Sequence, residues 1–434
     1  MFSVEDWAAL NATNDDYEIL KLDHNQLDNV DVAFPTLRFP LKVIDFRHNK
    51  INQLVKNAFA NLNYLEEVNL AFNELTTEKL KPEIFEGKYS PDEYEPLKSL
   101  KRLRLSYNLL HSLDSEIFEH TKHLQELYLD NNPFQIIHTS VLTAFSDIPQ
   151  LQLLDMSRME LSSLPNDIFH PLRALKVLKL EGNLFKTIPE ALTRAINLRE
   201  LSLDENPILD LSEDNAMPPM AKLEKLNMTF MGSLHVIGKG SMGGLESLKE
   251  LQLSHNHHLT FIHPSAFTFP EKDNPEREQW PLIKKLHLNN NNLSSLDVHT
   301  FIRWKEMDEI HLNDNPWLCD CELQWVTDTL ITIIEKTTPH LIEHIKCAEP
   351  HPMVDQKLID LNKDKSELRC LDKFGAHPEN DSALLVALLI GVLLGMPLAF
   401  ATVMIYKRGC ARRGPADFSR AFYKRADMQD DVHI

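Results

Sequence analysis

One pattern constrains this chain more than any other feature: L-x-x-L-x-L-x-x-N-x-L recurs twelve times between Tyr17 and Trp317. The copies begin with YEILKLDHNQL, LKVIDFRHNKI and LEEVNLAFNEL, run on through LKRLRLSYNLL and LQELYLDNNPF, and close with IKKLHLNNNNL and MDEIHLNDNPW. The asparagine falls at Asn25, Asn49, Asn73, Asn108, Asn132, Asn183, Asn206, Asn256, Asn291 and Asn315, with Met159 and Met231 in the two remaining places. Most steps are 23 to 25 residues, too short for a unit to enclose a core of its own. Each coil must bury its leucines against the next, so the fold is a stack with nearest-neighbour stability and two ends that need covers. The L-x-L segment reads as a short strand with alternate side chains inside. The Asn amide suits the backbone groups left over where the chain turns away. Methionine cannot replace that amide. Met159 and Met231 therefore mark either harmless apolar replacements or irregular turns where water or a neighbouring side chain stands in.

Two steps are longer, 35 residues each, from Asn73 to Asn108 and from Asn256 to Asn291. The surplus follows Phe85 as EGKYSPDEYEP and Phe267 as TFPEKDNPEREQWP. Proline-rich and acidic, these stretches read as loops leaving one flank, either solvated insertions or a pair of side-binding loops. A hydrophobic fraction of 43% supports a large core and excludes wholesale disorder. The balance of 45 Lys+Arg against 64 Asp+Glu, a net charge of −19, argues against a nucleic-acid partner, because phosphate binding needs clustered cations.

Four of the five cysteines, Cys319, Cys321, Cys347 and Cys370, follow the last repeat, starting at NPWLCDCELQWV. Their wide later spacing without C-x-x-C pairs fits tetrahedral zinc poorly, and as disulfides four cysteines allow three pairings. A Cys-x-Cys pair, then Trp325 and two later cysteines, behind a leucine-repeat array, resembles the C-terminal flanking domain of extracellular leucine-rich-repeat proteins. The resemblance spans roughly residues 17–372. It implies an α/β solenoid, a leucine-rich-repeat horseshoe with a parallel concave sheet and a disulfide cap. It also implies pairing of Cys319 with Cys347 and Cys321 with Cys370, and an oxidising compartment for residues 1–372.

From Ala383 to Tyr406 the chain has 24 residues without a charge, long enough for a transmembrane helix. Lys407, Arg408, Arg412 and Arg413 follow it, while Glu379 and Asp381 precede it, so the positive-inside rule predicts a cytosolic C-terminus. The expected protein is a single-pass, type I protein of the plasma membrane. Ala387, Gly391, Gly395 and Ala399 form a small-residue stripe, compatible with a homodimer or with a simple anchor kinked at Pro397. In the basic tail Cys410 is a palmitoylation candidate or a free thiol, and Val432 and Ile434 give a C-terminus that some PDZ domains accept. Toll-like receptors resemble the extracellular plan, but they carry a folded cytoplasmic module that a 28-residue tail cannot supply. The start, MFSVEDWAALNATNDDY, lacks the basic and apolar runs of a secretory signal, and no cysteine precedes Cys319. A leader and an N-terminal cysteine cap upstream of Met1 are therefore expected. The alternative is insertion directed by the apolar segment itself. The domain plan is thus 1–16 lead, 17–315 repeats, 316–372 cap, 373–382 stalk, 383–406 membrane helix and 407–434 tail.

Residues between the strand leucines face the concave side, and equivalent positions on adjacent strands form columns. Phe72 and Tyr107 share one such column, Tyr128 lies one strand on, and Lys101, Arg102 and Arg104 flank them. They make a candidate ligand-binding patch, although an aromatic before the Asn is ordinary in this repeat. His287 and His311 share another column with His255 one repeat earlier, close enough to titrate together or to bind a metal, with a solvated polar surface as the plainer reading and no metal expected. Asn11, Asn227 and Asn292 begin glycosylation sequons. A glycan at Asn227 obstructs its part of the concave face, so binding is expected to favour the N-terminal half. No G-x-S-x-G, H-E-x-x-H or glycine-rich phosphate loop is present, so neither catalysis nor a cofactor is expected. The functional expectation is a cell-surface recognition or adhesion receptor for an extracellular protein ligand. The alternative is a non-catalytic co-receptor in innate-immune or growth-factor signalling.

Overall fold

A computed structural model describes residues 8, 11–12, 15–87, 89–90, 93–94, 97–271, 273–274, 276–370 and 378–411. The chain divides into two compact units, Met1–Leu368 and Arg369–Ile434. The first is a solenoid whose twelve three-residue strands form one sheet in chain order, from Ile19–Lys21 to Glu309–His311. Every neighbouring pair in it is parallel, as Arg102–Arg104 on Glu126–Tyr128 illustrates, with Leu103 opposite Leu127. The middle residue of each strand points inward, and from Ile44 to Ile310 these residues are fully buried. The other two face the concave side.

The asparagines do what the repeat demanded of them. Asn73 Nδ2 donates to Phe46 O one coil back (3.1 Å) and to Leu70 O in its own coil (3.1 Å). Its Oδ1 accepts Ile51 N at 2.9 Å. Asn132 repeats the pattern with Leu105 O, Leu129 O and Leu110 N. One amide thereby satisfies three buried backbone groups and couples two coils. Among the described residues Asn25, on the first described coil, bonds Leu22 O and Asp23 O of that same coil.

The residue before each column position lies in the left-handed region at all twelve turns, from His24 (φ 55°) to Asp314 (φ 56°). Arg158 and Phe230, before Met159 and Met231, do so too, at 53° and 54°. The turns at the two methionines are therefore regular, contrary to one of the two readings. The next coil accommodates them, because Asn183 Oδ1 accepts Met159 N (3.1 Å) and Asn256 Oδ1 accepts Met231 N (2.7 Å). The disturbance appears one coil back, where Phe134 N bonds Asn132 O instead of an asparagine side chain.

On the side opposite the sheet, phenylalanines stack through the core, with Phe34, Phe59 and Phe85 ring centroids 5.9 and 6.0 Å apart and Phe267 4.6 Å from Phe301. Phe85 and Phe267 thus anchor the two insertions, each of which forms a short antiparallel hairpin: Tyr89–Ser90 with Glu93–Tyr94, and Phe269–Pro270 with Glu278–Gln279. At the C-terminal end the helix Ile331–Thr337 buries Ile331 and Ile334, and Thr338 Oγ1 donates to Ile310 O of the last strand at 3.0 Å. Trp325 Nε1 donates to Leu296 O (2.7 Å) and its ring meets Trp304. Cys319 is bonded to Cys347, with Cα atoms 5.6 Å apart, and Cys321 and Cys370 are also disulfide-bonded. In the second unit one helix, Pro378–Ala411, contains a stretch, Leu385–Arg408, long and apolar enough to cross a membrane.

Replacing Asn132 with Leu leaves three buried backbone groups without partners and is expected to cost roughly 3 kcal/mol, whereas Asn25→Leu costs under about 1 kcal/mol. Denaturant melts of the two variants beside the parent check this, and equal losses would contradict the ladder.

Candidate functional site

The left-handed turns set a line of side chains along the rim of the concave sheet. In the N-terminal coils that line reads His24, His48, Phe72, Tyr107, and the rings stack in sequence with centroids 4.4, 4.1 and 4.1 Å apart. Tyr107 lies only 12° from parallel with Phe72, and both remain substantially exposed, at 44% and 37%. A left-handed backbone is tolerated by Gly, Asn, Asp and His but is costly under a bulky side chain. Gly182 occupies the same place in its coil at φ 62°. Phe72 and Tyr107 are thus held where a smaller or polar residue would fold more cheaply. Their stacking offsets part of that cost.

Beside the ribbon is an open depression of about 590 Å³ lined by Phe72, Tyr107, Arg104, Tyr128 and a group of acids. Four carboxylates, Asp45, Glu67, Asp130 and Asp155, face two guanidiniums, Arg47 and Arg104. Both cations are already engaged, Arg47 with Asp45 at 3.2 Å and Arg104 with Glu67 at 3.0 Å. Arg104 also lies 4.1 Å over the Tyr128 ring. Burial pushes the Asp155 carboxyl above its ordinary value.

The structure therefore brings Phe72, Tyr107, Arg104 and Tyr128 around one depression. Arg102 stands two residues before Arg104 in the same strand, held by Glu126 (2.6 and 2.8 Å) and Glu67 (2.7 Å). Lys101 precedes the strand and pairs with Glu66 at 3.1 Å. Arg102 holds Glu126 below the usual carboxylate range, while burial and then the bond to Glu126 push Tyr128 up. The sequence pointed to the aromatics and cations but not to the acids that tie them down, nor to His24 and His48. Those two were findable, since they occupy the same place before the Asn in consecutive copies.

Charge pairing continues across the later coils. In the first concave column Glu200, Lys225, Glu250, Lys285 and Glu309 alternate in sign, with successive contacts of 3.5, 3.5, 3.9 and 3.9 Å. His255 lies outside the histidine column: it is a rim residue stacked on Phe230 at 4.5 Å. His287 and His311 do stand together, joined by Glu309. Asn227 lies half-buried on its concave strand, with its Oδ1 buried and unbonded. Asn292 is exposed, whereas the Asn11 side chain bonds Thr36 O and Arg38 N. A Cβ at Gly391 or Gly395 would meet nothing within 4 Å. Cys410 lies in the long helix without a described side chain, and Val432 and Ile434 lie outside the described residues.

Residues 18–75, 98–159 and 149–208 match the family described as Leucine rich repeat. The chain is 28% identical to Podocan-like protein 1 of Mus musculus, over 69% of this chain and 48% of that protein. To Tsukushi of Mus musculus it is also 28% identical, over 58% of this chain and 68% of that one. It spans about half the length of the Podocan-like relative. Among solved structures, a chain of the octameric complex of Latrophilin 3, Unc5D and FLRT2 superposes with a TM-score of 0.54 at 21% identity, covering 77% of this chain and 91% of that one. The TLR13–ssRNA13 complex gives 0.52 at 20% identity, covering 77% and 52%. These likenesses concern the fold. The fold is that of a leucine-rich-repeat solenoid, closed by a disulfide-bonded C-terminal region.

Because the Glu126 pKa is depressed, its pairing with Arg102 stabilises the fold above the ordinary carboxylate value and is lost as pH falls through the lowered one. A double-mutant cycle of Arg102→Met and Glu126→Gln should give a coupling of about 1 kcal/mol at neutral pH that fades below about pH 4. A coupling that does not change with pH would refute the assignment.

Proposed function

We propose that the protein is a single-pass cell-surface receptor that recognises another protein, through the rim ribbon and the depression in the N-terminal half of its concave face. The observation that carries this reading is the placement of Phe72 and Tyr107, large, exposed and stacked on left-handed turns where the fold alone favours other residues. Exposed aromatics beside a paired, half-buried polar network have the character of a binding hot spot. The surplus of carboxylates in the depression suits a basic side chain from the partner, with an aromatic edge beside it. A partner's phosphates would meet cations that are already paired, so nucleic acid is a poor fit, although the TLR13 structure holds RNA on a similar fold. The neighbour containing FLRT2 is a protein–protein assembly. A glycan at Asn227 would further bias binding toward the N-terminal coils, and the long apolar helix would anchor the chain with its basic flank in the cytosol.

Cells displaying the full chain, probed with an array of soluble ectodomains, should reveal a protein partner that parent cells lack. Phe72→Asn with Tyr107→Asn should weaken its binding by roughly thirtyfold or more. Asparagine tolerates the left-handed turn, so folded stability should stay within about 1 kcal/mol of the parent. Binding that survives this double substitution at equal surface display would place the interface elsewhere. Antibody access to an epitope added after Ile434 only in permeabilised cells checks the orientation.

A further inference from the structure

We propose that His287, Glu309 and His311 form a zinc site on the concave face of the last two coils. The eleventh strand, Lys285–His287, pairs in register with the twelfth, Glu309–His311, so His287 lies opposite His311 and Lys285 opposite Glu309. Glu309 and His311, two residues apart on one strand, share a face, and His287 reaches that face from the neighbouring strand. The two imidazoles stack with centroids 4.0 Å apart. Glu309 Oε1 lies 3.2 Å from His287 Nε2 and 3.0 Å from His311 Nε2.

The two Glu309 separations are near those of a coordination shell. With Zn–N and Zn–O bonds of about 2.0–2.1 Å, tetrahedral ligand atoms stand about 3.3 Å apart, and all three candidate atoms here lie within 4.8 Å of one another. The His287 Nε2 atom is buried and, despite its closeness to Glu309, makes no aligned hydrogen bond. A buried ring nitrogen without a hydrogen-bond partner needs an explanation, and a metal supplies one. The side chains are mostly shielded, at 17%, 32% and 20% exposure for His287, Glu309 and His311. Lys285 and Glu250 flank the group on the sheet, and His340 approaches His311 from the cap. Two imidazoles and one carboxylate favour zinc over calcium or magnesium, which take oxygen ligands. The fourth position faces the concave solvent, where water completes the tetrahedron. A bound ion would clamp the two strands that carry the cap.

The test uses the full chain in detergent, stripped with a chelator and dialysed, then titrated with zinc chloride by calorimetry. The parent should bind one zinc that His287→Asn, His311→Asn and Glu309→Gln each weaken at least tenfold. Zinc should also raise the melting temperature of the parent but not of these variants. Because other histidines could capture zinc weakly, cobalt(II) serves as a second probe. The parent should give the intense visible bands of tetrahedral cobalt, and the variants should lose them. Should His287→Asn or His311→Asn fail to fold, Glu309→Gln, whose shape is conserved, decides by the same two readouts. Zinc affinity and cobalt spectra that are unchanged in a folded variant, or an octahedral spectrum in the parent, would overturn the proposal.

Discussion

The asparagine amide at each turn is the interaction on which the rest depends. It answers a problem created by the repeat itself: a coil of 23 to 25 residues with one three-residue strand leaves most of its backbone groups outside any ladder. From Asn49 onward each asparagine amide closes three of those groups and reaches into the previous coil, so coil geometry and stacking are set by one side chain. The left-handed residue immediately before it is part of the same device, because it turns the chain so that the amide can point inward. A uniform turn then yields a uniform surface. Whatever side chain occupies that place in successive coils is delivered to one line on the rim, about one strand spacing from its neighbours.

That regularity makes the concave face easy to sort. Opposite charges at the first strand position neutralise each other along the arc, in Glu67, Arg102 and Glu126 and again from Glu200 to Glu309. Such pairs are worth little to stability individually, but they leave few free charges for a partner to exploit. The exceptions are therefore informative. The rim ribbon is aromatic and exposed, and the acids of the adjoining depression outnumber its cations. A partner gains more by covering the ribbon than by breaking salt bridges on the sheet.

The repeat, its phase, the parallel sheet and the cysteine cap were all legible in the sequence, because each follows from a residue type that must recur at a fixed place. The Cys319–Cys347 bond agrees with the pairing implied by family resemblance. The insertions were legible as departures but not as hairpins, since their pairing is local and weakly patterned. Met159 and Met231 were legible as missing amides, yet the consequence fell on their neighbours: Asn183 and Asn256 took up the methionine N–H groups, and Phe134 N turned to Asn132 O. A one-dimensional pattern names the absent donor but not which coil absorbs the loss. The same limit applied to Arg102 and Arg104. Their exposure on the concave face was readable, whereas their capture by Glu67 and Glu126 depended on which columns meet across strands.

His255 shows how fine that column assignment is. It precedes Asn256 by one residue and so joins the rim, where it stacks on Phe230. His287 and His311 sit three residues further back in their copies and so join the sheet. All three are histidines of neighbouring repeats, and only the offset from the asparagine separates a ring-stacking role from a pair of convergent nitrogens. The third donor, Glu309, was hidden for the same reason. It belongs to the alternating charge column, and only the parallel register sets its carboxylate beside both rings. In a stacked fold, chemistry is composed across coils rather than along the chain, so a site emerges wherever two columns carry suitable residues at the same height.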